Sequence, residues 1–144
     1  MFYVCVYYIK MKGFFMRKKF FLLSLFGAVA FLFASHHVLA LREIQSEGEF
    51  NQIIQQKPHV VVDFYASWCA PCQRMMTVLS DIEKEFPNVT FIKVNIDLLK
   101  NLADTYKVLS IPTFIFFKDG QKIDRVIGLL TKNQLQEKIK KLFA

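Results

Sequence analysis

Val60-Val61-Val62-Asp63-Phe64-Tyr65-Ala66-Ser67-Trp68-Cys69-Ala70-Pro71-Cys72 decides the fold of this 144-residue chain. Its first six residues form an apolar, β-branched run of the kind buried on both faces at the centre of a sheet. Beyond Cys72 the pattern turns helical, with Met75, Met76, Leu79, Ile82 and Phe86 recurring at helical spacing. The cysteines thus lie where a central strand hands over to a helix. Two cysteines separated by two residues make a dithiol that can close and open as a disulfide. A helix N-terminus presents unpaired N–H groups and partial positive charge. That field favours thiolate over thiol and lowers the cysteine pKa. Cys69 is therefore expected to be the nucleophile at the exposed helix start, with Cys72 one turn in and more buried.

Outward from this stretch the elements alternate. Glu47 to Gln56 reads as a helix with Phe50, Ile53 and Ile54 on one face, ended by Pro58. Val89 to Ile96 reads as a strand, Leu98 to Tyr106 as a helix, and Thr113 to Phe117 as a second continuous apolar strand. Asp119-Gly120 signals a hairpin into an edge strand over Lys122 to Ile127. Thr131 to Phe143 is an amphipathic helix with Leu135, Ile139 and Leu142 inward and Thr131 as N-cap. The order α, β, α, β, α, β, β, α predicts an α/β fold with a central mixed β-sheet flanked by helices on both faces.

The first 40 residues read differently. They carry five basic residues and no acid, for +5, whereas residues 41–144 balance to +2. With the basic character confined largely to this segment, no nucleic-acid partner is expected. Arg17-Lys18-Lys19 is a positive cluster, Phe20 to Ala34 an uncharged apolar stretch, and Val38-Leu39-Ala40 a small-residue cleavage site. These are the parts of a secretory signal peptide. Extended to Leu41, the stretch could instead stay as an anchor, although the apolar run falls short of the roughly 20 residues a spanning helix needs. The positive cluster fits a start at Met11 or Met16. The domain division is thus 1–40 as leader, signal peptide or membrane anchor, and 41–144 as one domain. Cys5 falls in the leader, so the domain holds a single cysteine pair and no disulfide framework. With only His59 beside that pair, it lacks the four ligands zinc normally takes, and no metal is expected.

The chain resembles the thioredoxin family. The carriers are the Val61-to-Cys72 strand and loop, Val94-Asn95-Ile96-Asp97, the Ser110-Ile111-Pro112-Thr113 loop, the Phe116-to-Gly120 hairpin, and Gly128. A lone CxxC is a weak motif. A CxxC after an apolar strand, with Ile-Pro-Thr 40 residues later and a D-G hairpin beyond, is a strong one. The resemblance spans Leu41 to Ala144 and implies a thioredoxin fold. It implies that Asp63, a carboxylate in a buried strand whose pKa burial should raise, assists deprotonation of the resolving Cys72, with Lys93 as its neighbour. It also implies a cis Pro112 whose loop, Ile111 and Thr113 included, faces the disulfide and pairs with an extended substrate by β-augmentation. Trp68, Ala70 and Pro71 complete the substrate-facing surface, with Trp68 shielding the dithiol rather than filling the core. Ala70-Pro71 departs from the Gly-Pro of cytosolic members. Thr77 stands where the family usually has a proline, which removes the source of a helix kink.

The expected function is a thiol–disulfide oxidoreductase, a protein-disulfide reductase cycling Cys69 and Cys72 outside the cytosol. No histidine lies between the cysteines, where it would raise oxidising power. No cofactor beyond the redox-active disulfide is expected. The expected partners are protein disulfides or dithiols and a membrane electron donor, the expected state is a monomer, and any membrane contact runs through the leader. The expected location is periplasmic or otherwise extracytoplasmic, with anchoring to the inner membrane as a variant. The alternatives are an exported disulfide oxidase or isomerase, a cytosolic thioredoxin with a misassigned start, and a docking module with dispensable cysteines.

Overall fold

A five-stranded mixed sheet in the order β1-β3-β2-β4-β5 organises the computed structural model, which describes residues 41–144. The leader, its cleavage site and the Met11 or Met16 start lie outside the described residues. The elements run β1 (Arg42–Glu43), α1 (Glu47–Gln56), β2 (His59–Tyr65), α2 (Ala70–Glu85), β3 (Thr90–Asn95), α3 (Lys100–Thr105), β4 (Thr113–Lys118), β5 (Gln121–Ile127) and α4 (Lys132–Phe143). β2 pairs parallel with β3 and antiparallel with β4, so the apolar run of the sequence is indeed a central strand.

Strand alternation builds two cores. Val60, Val62 and Phe64 of β2 pack with Phe50, Ile53 and Ile54 of α1, Leu102 of α3 and Ile115 and Phe117 of β4. Val61 faces the other side, with Met75, Leu79 and Ile82 of α2, Phe114 and Phe116 of β4, and Leu135 and Ile139 of α4. Asp63 follows Val61 by two residues and so lies on this second side, the α2 side.

Local chemistry sets the element ends. Ser46 caps α1 by accepting from the Glu49 N–H at 3.2 Å. Thr131 and Gln134 form a reciprocal capping box at α4. Asp119 (φ 51°) and Gly120 (φ 80°) both take positive φ, the backbone that a two-residue hairpin of this twist requires. α2 continues from Ala70 to Glu85 through Thr77.

Two expectations need correction. The edge strand β1 was not foreseen, because two polar-headed residues carry no periodicity and only their pairing with Ile92 and Lys93 makes them a strand. α3 is also shorter than Leu98 to Tyr106. The Asn95 carbonyl accepts from both Leu98 and Leu99, holding the entry in a turn, and Lys107 at φ 51° stops the helix.

Candidate active site

Cys69 and Cys72 are joined, with an S–S distance of 2.07 Å. Cys69 is the N-cap of α2, and its own sulfur accepts from the Cys72 N–H at 3.2 Å. A sulfur in the capping position sits where the helix end favours negative charge. Ala70 is exposed in the first turn, and Pro71 follows in that same turn, where a missing N–H leaves no intrahelical bond unmade. Cys72 is fully buried, as expected. Cys69, expected at an exposed start, is only 4% exposed. The reason is packing, since the pair is clustered with Tyr65 and Ala66, and Met76, Ile96 and Ile111 pack against that cluster.

Trp68 is 70% exposed and outside the core. Its indole N–H donates to Asp97 Oδ2 at 2.9 Å. The Asp97 backbone N–H in turn donates to Asn95 Oδ1 at 2.9 Å, and Asn95 Nδ2 donates to Ser67 Oγ at 3.4 Å. Asn95 and Asp97 carry the family resemblance in the sequence, but nothing there gives either a place in the site. The available signal was register, because parallel β2 and β3 end side by side with Tyr65 opposite Asn95.

The Ile111–Pro112 peptide bond is cis. Thr113, buried, donates its hydroxyl to the Ser110 carbonyl at 2.6 Å, and the Gly128 N–H donates to the Pro112 carbonyl at 2.8 Å. Gly128 holds φ +95°, which L side chains rarely adopt. Ile111 packs against the cluster that Tyr65 and Ala66 form with the cysteine pair, joining this loop to the end of β2 and the α2 start. The exposed apolar residues Leu109, Ile127 and Leu129 flank these loops and were not singled out from the sequence. Their signal was adjacency to Pro112 and Gly128.

Asp63 is 1% exposed, and neither carboxylate oxygen has a hydrogen-bond partner among the described residues. Burial raises its pKa from 3.8 to about 7 against the opposing pull of the Lys93 ammonium. Lys93 lies opposite Asp63 in the β2–β3 register. Its ammonium, however, sits 3.5 Å from Glu43 Oε2 and 5.1 Å from the centroid of the Tyr65 ring. The Tyr65 hydroxyl donates to Glu43 Oε1 at 2.5 Å. Burial, then the bond to Glu43, raises the Tyr65 phenol above its usual value. Glu43 and Tyr65 were missed as site neighbours because β1 was missed. The structure thus brings Trp68, Ala70, Pro71 and Ile111 to the cysteine pair, with Pro112 and Thr113 in the Ile111 loop. Asp63 and Lys93 lie on the adjoining strands of the α2 side.

These features define a dithiol–disulfide site at a strand-to-helix junction of an α/β sheet. The thioredoxin family profile matches residues 42–141. Thioredoxin of Mycoplasmoides gallisepticum is 37% identical over 100 residues, covering 69% of this chain and all of that protein. Thioredoxin of Chlamydia pneumoniae is 48% identical over 82 residues, covering 57% of this chain and 80% of the relative. The oxidised form of mitochondrial thioredoxin 3 from Saccharomyces cerevisiae superposes with a TM-score of 0.66 at 35% identity, over 71% of this chain and 95% of that one. The chain belongs to the thioredoxin family. It is a thiol–disulfide oxidoreductase with a redox-active cysteine pair, and it acts on protein disulfides.

Proposed function

We propose that this oxidoreductase is a protein-disulfide reductase working outside the cytosol, as a monomer, with no cofactor beyond its own cysteine pair. The observation that carries the reading is the Cys69 sulfur in the N-cap of α2, with a buried carboxyl on the strand below. In the reduced protein, the Cys69 thiolate attacks one sulfur of a substrate disulfide. That S–S bond breaks, a Cys69–substrate disulfide forms, and the other substrate sulfur leaves as thiolate. Asp63, its pKa near neutrality, takes the proton of the Cys72 thiol. The Cys72 thiolate attacks the Cys69 sulfur, closes the protein disulfide and releases the second substrate thiolate. Two electrons have passed to the substrate, and an external dithiol donor returns them.

Trp68, Ala70, Pro71, Ile111, Pro112 and Thr113 form the substrate face in this reading. An extended peptide pairs with the loop backbone, and the exposed apolar side chains beside it add contact area. The direction of electron flow rests on Ala70-Pro71, which puts no histidine between the cysteines. The location rests on the signal-like pattern of residues 1–40, and it makes a membrane protein the natural electron donor.

Equilibration of the purified chain in a dithiothreitol or glutathione buffer tests the direction. A potential near −250 mV or lower, by comparison with thioredoxin-type couples, supports the reductase. A value near −150 mV or higher makes the protein an oxidant or isomerase. Fractionation of cells tests the location, and recovery of the chain in the cytosol sinks the export reading.

A further inference from the structure

The lysine opposite a buried, unpartnered carboxylate is turned elsewhere. Lys93 and Asp63 are register partners on adjacent parallel strands. An ammonium so placed gains by approaching a carboxylate in a low-dielectric setting, and a buried carboxylate gains as much from being met. Yet both Asp63 oxygens lack a hydrogen bond among the described residues. Lys93 keeps its ammonium at 3.5 Å from Glu43 Oε2, over the Tyr65 ring. Glu43 is fixed for this purpose. Its other oxygen, Oε1, accepts the Tyr65 hydroxyl at 2.5 Å, and its backbone is pinned by the β1–β3 pairing, Glu43 opposite Lys93.

We infer that Glu43 is a positioning residue that, with Tyr65, holds the Lys93 ammonium away from Asp63 and so governs how readily Asp63 ionises. Lys93 has two carboxylates within its range and is committed to the one at the sheet edge. The charged and titratable groups tied to Asp63 are Lys93 of β3, its register partner, Tyr65 of β2, and Glu43 of β1 through both of them. Asp124 of β5 and Lys138 of α4 share that side of the sheet but pair with each other at its opposite edge. β4 faces Asp63 with Phe114 in register, and α4 contributes apolar Leu135 and Ile139. Lys93 is the cation in register with Asp63 and the one that acts on its charge, so its choice of partner decides whether Asp63 is relieved. Loss of the Glu43 charge frees Lys93 to turn inward, and the freed ammonium favours the Asp63 carboxylate.

The role of Asp63 in the resolving step belongs to the proposed function above, so the test separates the two. In the oxidised full-length chain, the Asp63 carboxyl is titrated by carbon-13 NMR in wild type and Glu43→Gln, each with and without Lys93→Met. Glutamine keeps an acceptor for the Tyr65 hydroxyl. The expected result is an Asp63 midpoint about one pH unit lower in Glu43→Gln, by analogy with carboxylates given a close cation. In the Lys93→Met background the same substitution should leave the midpoint nearly in place, because no cation is left to release. Tyr65→Phe, which only loosens Glu43, should move the midpoint in the same direction by less. An unmoved or raised midpoint in Glu43→Gln overturns the inference, and so does an equal drop with and without Lys93. A second readout is the pH profile for Cys72-dependent release of thionitrobenzoate from its mixed disulfide with Cys69. A midpoint that drops through Lys93 while this profile stays fixed upholds Glu43 as positioner and refutes Asp63 as proton acceptor.

Discussion

Asp63→Asn should stabilise the oxidised protein, and by an amount that depends on pH. The carboxyl titrates near 3.8 in the unfolded chain and at about 7 when folded. Because the folded value is the higher, the folded state holds the proton more tightly. The stability this confers is fully present below pH 3.8 and is lost at about 1.4 kcal/mol per pH unit above it, until the loss is complete past about pH 7. The gap between the two values makes the total about 4 kcal/mol. Asparagine matches the protonated acid in shape, also carries unmet polar atoms, and does not ionise. Variant and wild type should therefore be equally stable near pH 4, and the variant should lead by about 4 kcal/mol at pH 8. Urea unfolding followed by circular dichroism at a series of pH values measures the gap, with the disulfide intact so that neither Cys69 nor Cys72 titrates. A gap independent of pH, or an asparagine variant less stable at pH 8, would refute the reasoning. The same substitution should slow Cys72 resolution, so that a residue costing stability is one the proposed chemistry uses.

Other perturbations address other parts of the molecule. Cys72→Ser should leave the Cys69 attack intact and accumulate a mixed disulfide with substrate, visible as a reducible adduct by mass spectrometry. Asp97→Ala should release the Trp68 indole; fluorescence anisotropy of this sole tryptophan should fall, and disulfide reduction should slow roughly fivefold, the equivalent of one net hydrogen bond of about 1 kcal/mol. Phe50→Ala should cost about 3–5 kcal/mol by urea unfolding, since this fully buried ring packs on Tyr106 and Phe117. Thr131→Ala should cost about 1 kcal/mol through the lost α4 cap, with turnover unchanged.

Much was decided by local pattern. The continuous apolar runs of β2 and β4 read as central strands because burial on both faces leaves no polar alternation. Thr131 and Asp119-Gly120 marked element ends because capping and positive φ are satisfied by residues a few positions apart. The Cys69–Cys72 spacing and the strand-to-helix change exposed the dithiol, and an acid inside an apolar strand drew attention to Asp63. What the sequence did not contain was distance across strands. β1 exists only because β3 offers an edge to Arg42 and Glu43, and no periodicity announces a two-residue strand. The indole bond to Asp97 joins residues 29 apart, and the Tyr65 bond to Glu43 joins residues 22 apart. Lys93 was legible as the neighbour of Asp63 only through the family resemblance. Which carboxylate its ammonium meets is settled by the packing of three strands, because charge partners are chosen by geometry and desolvation and not by order along the chain.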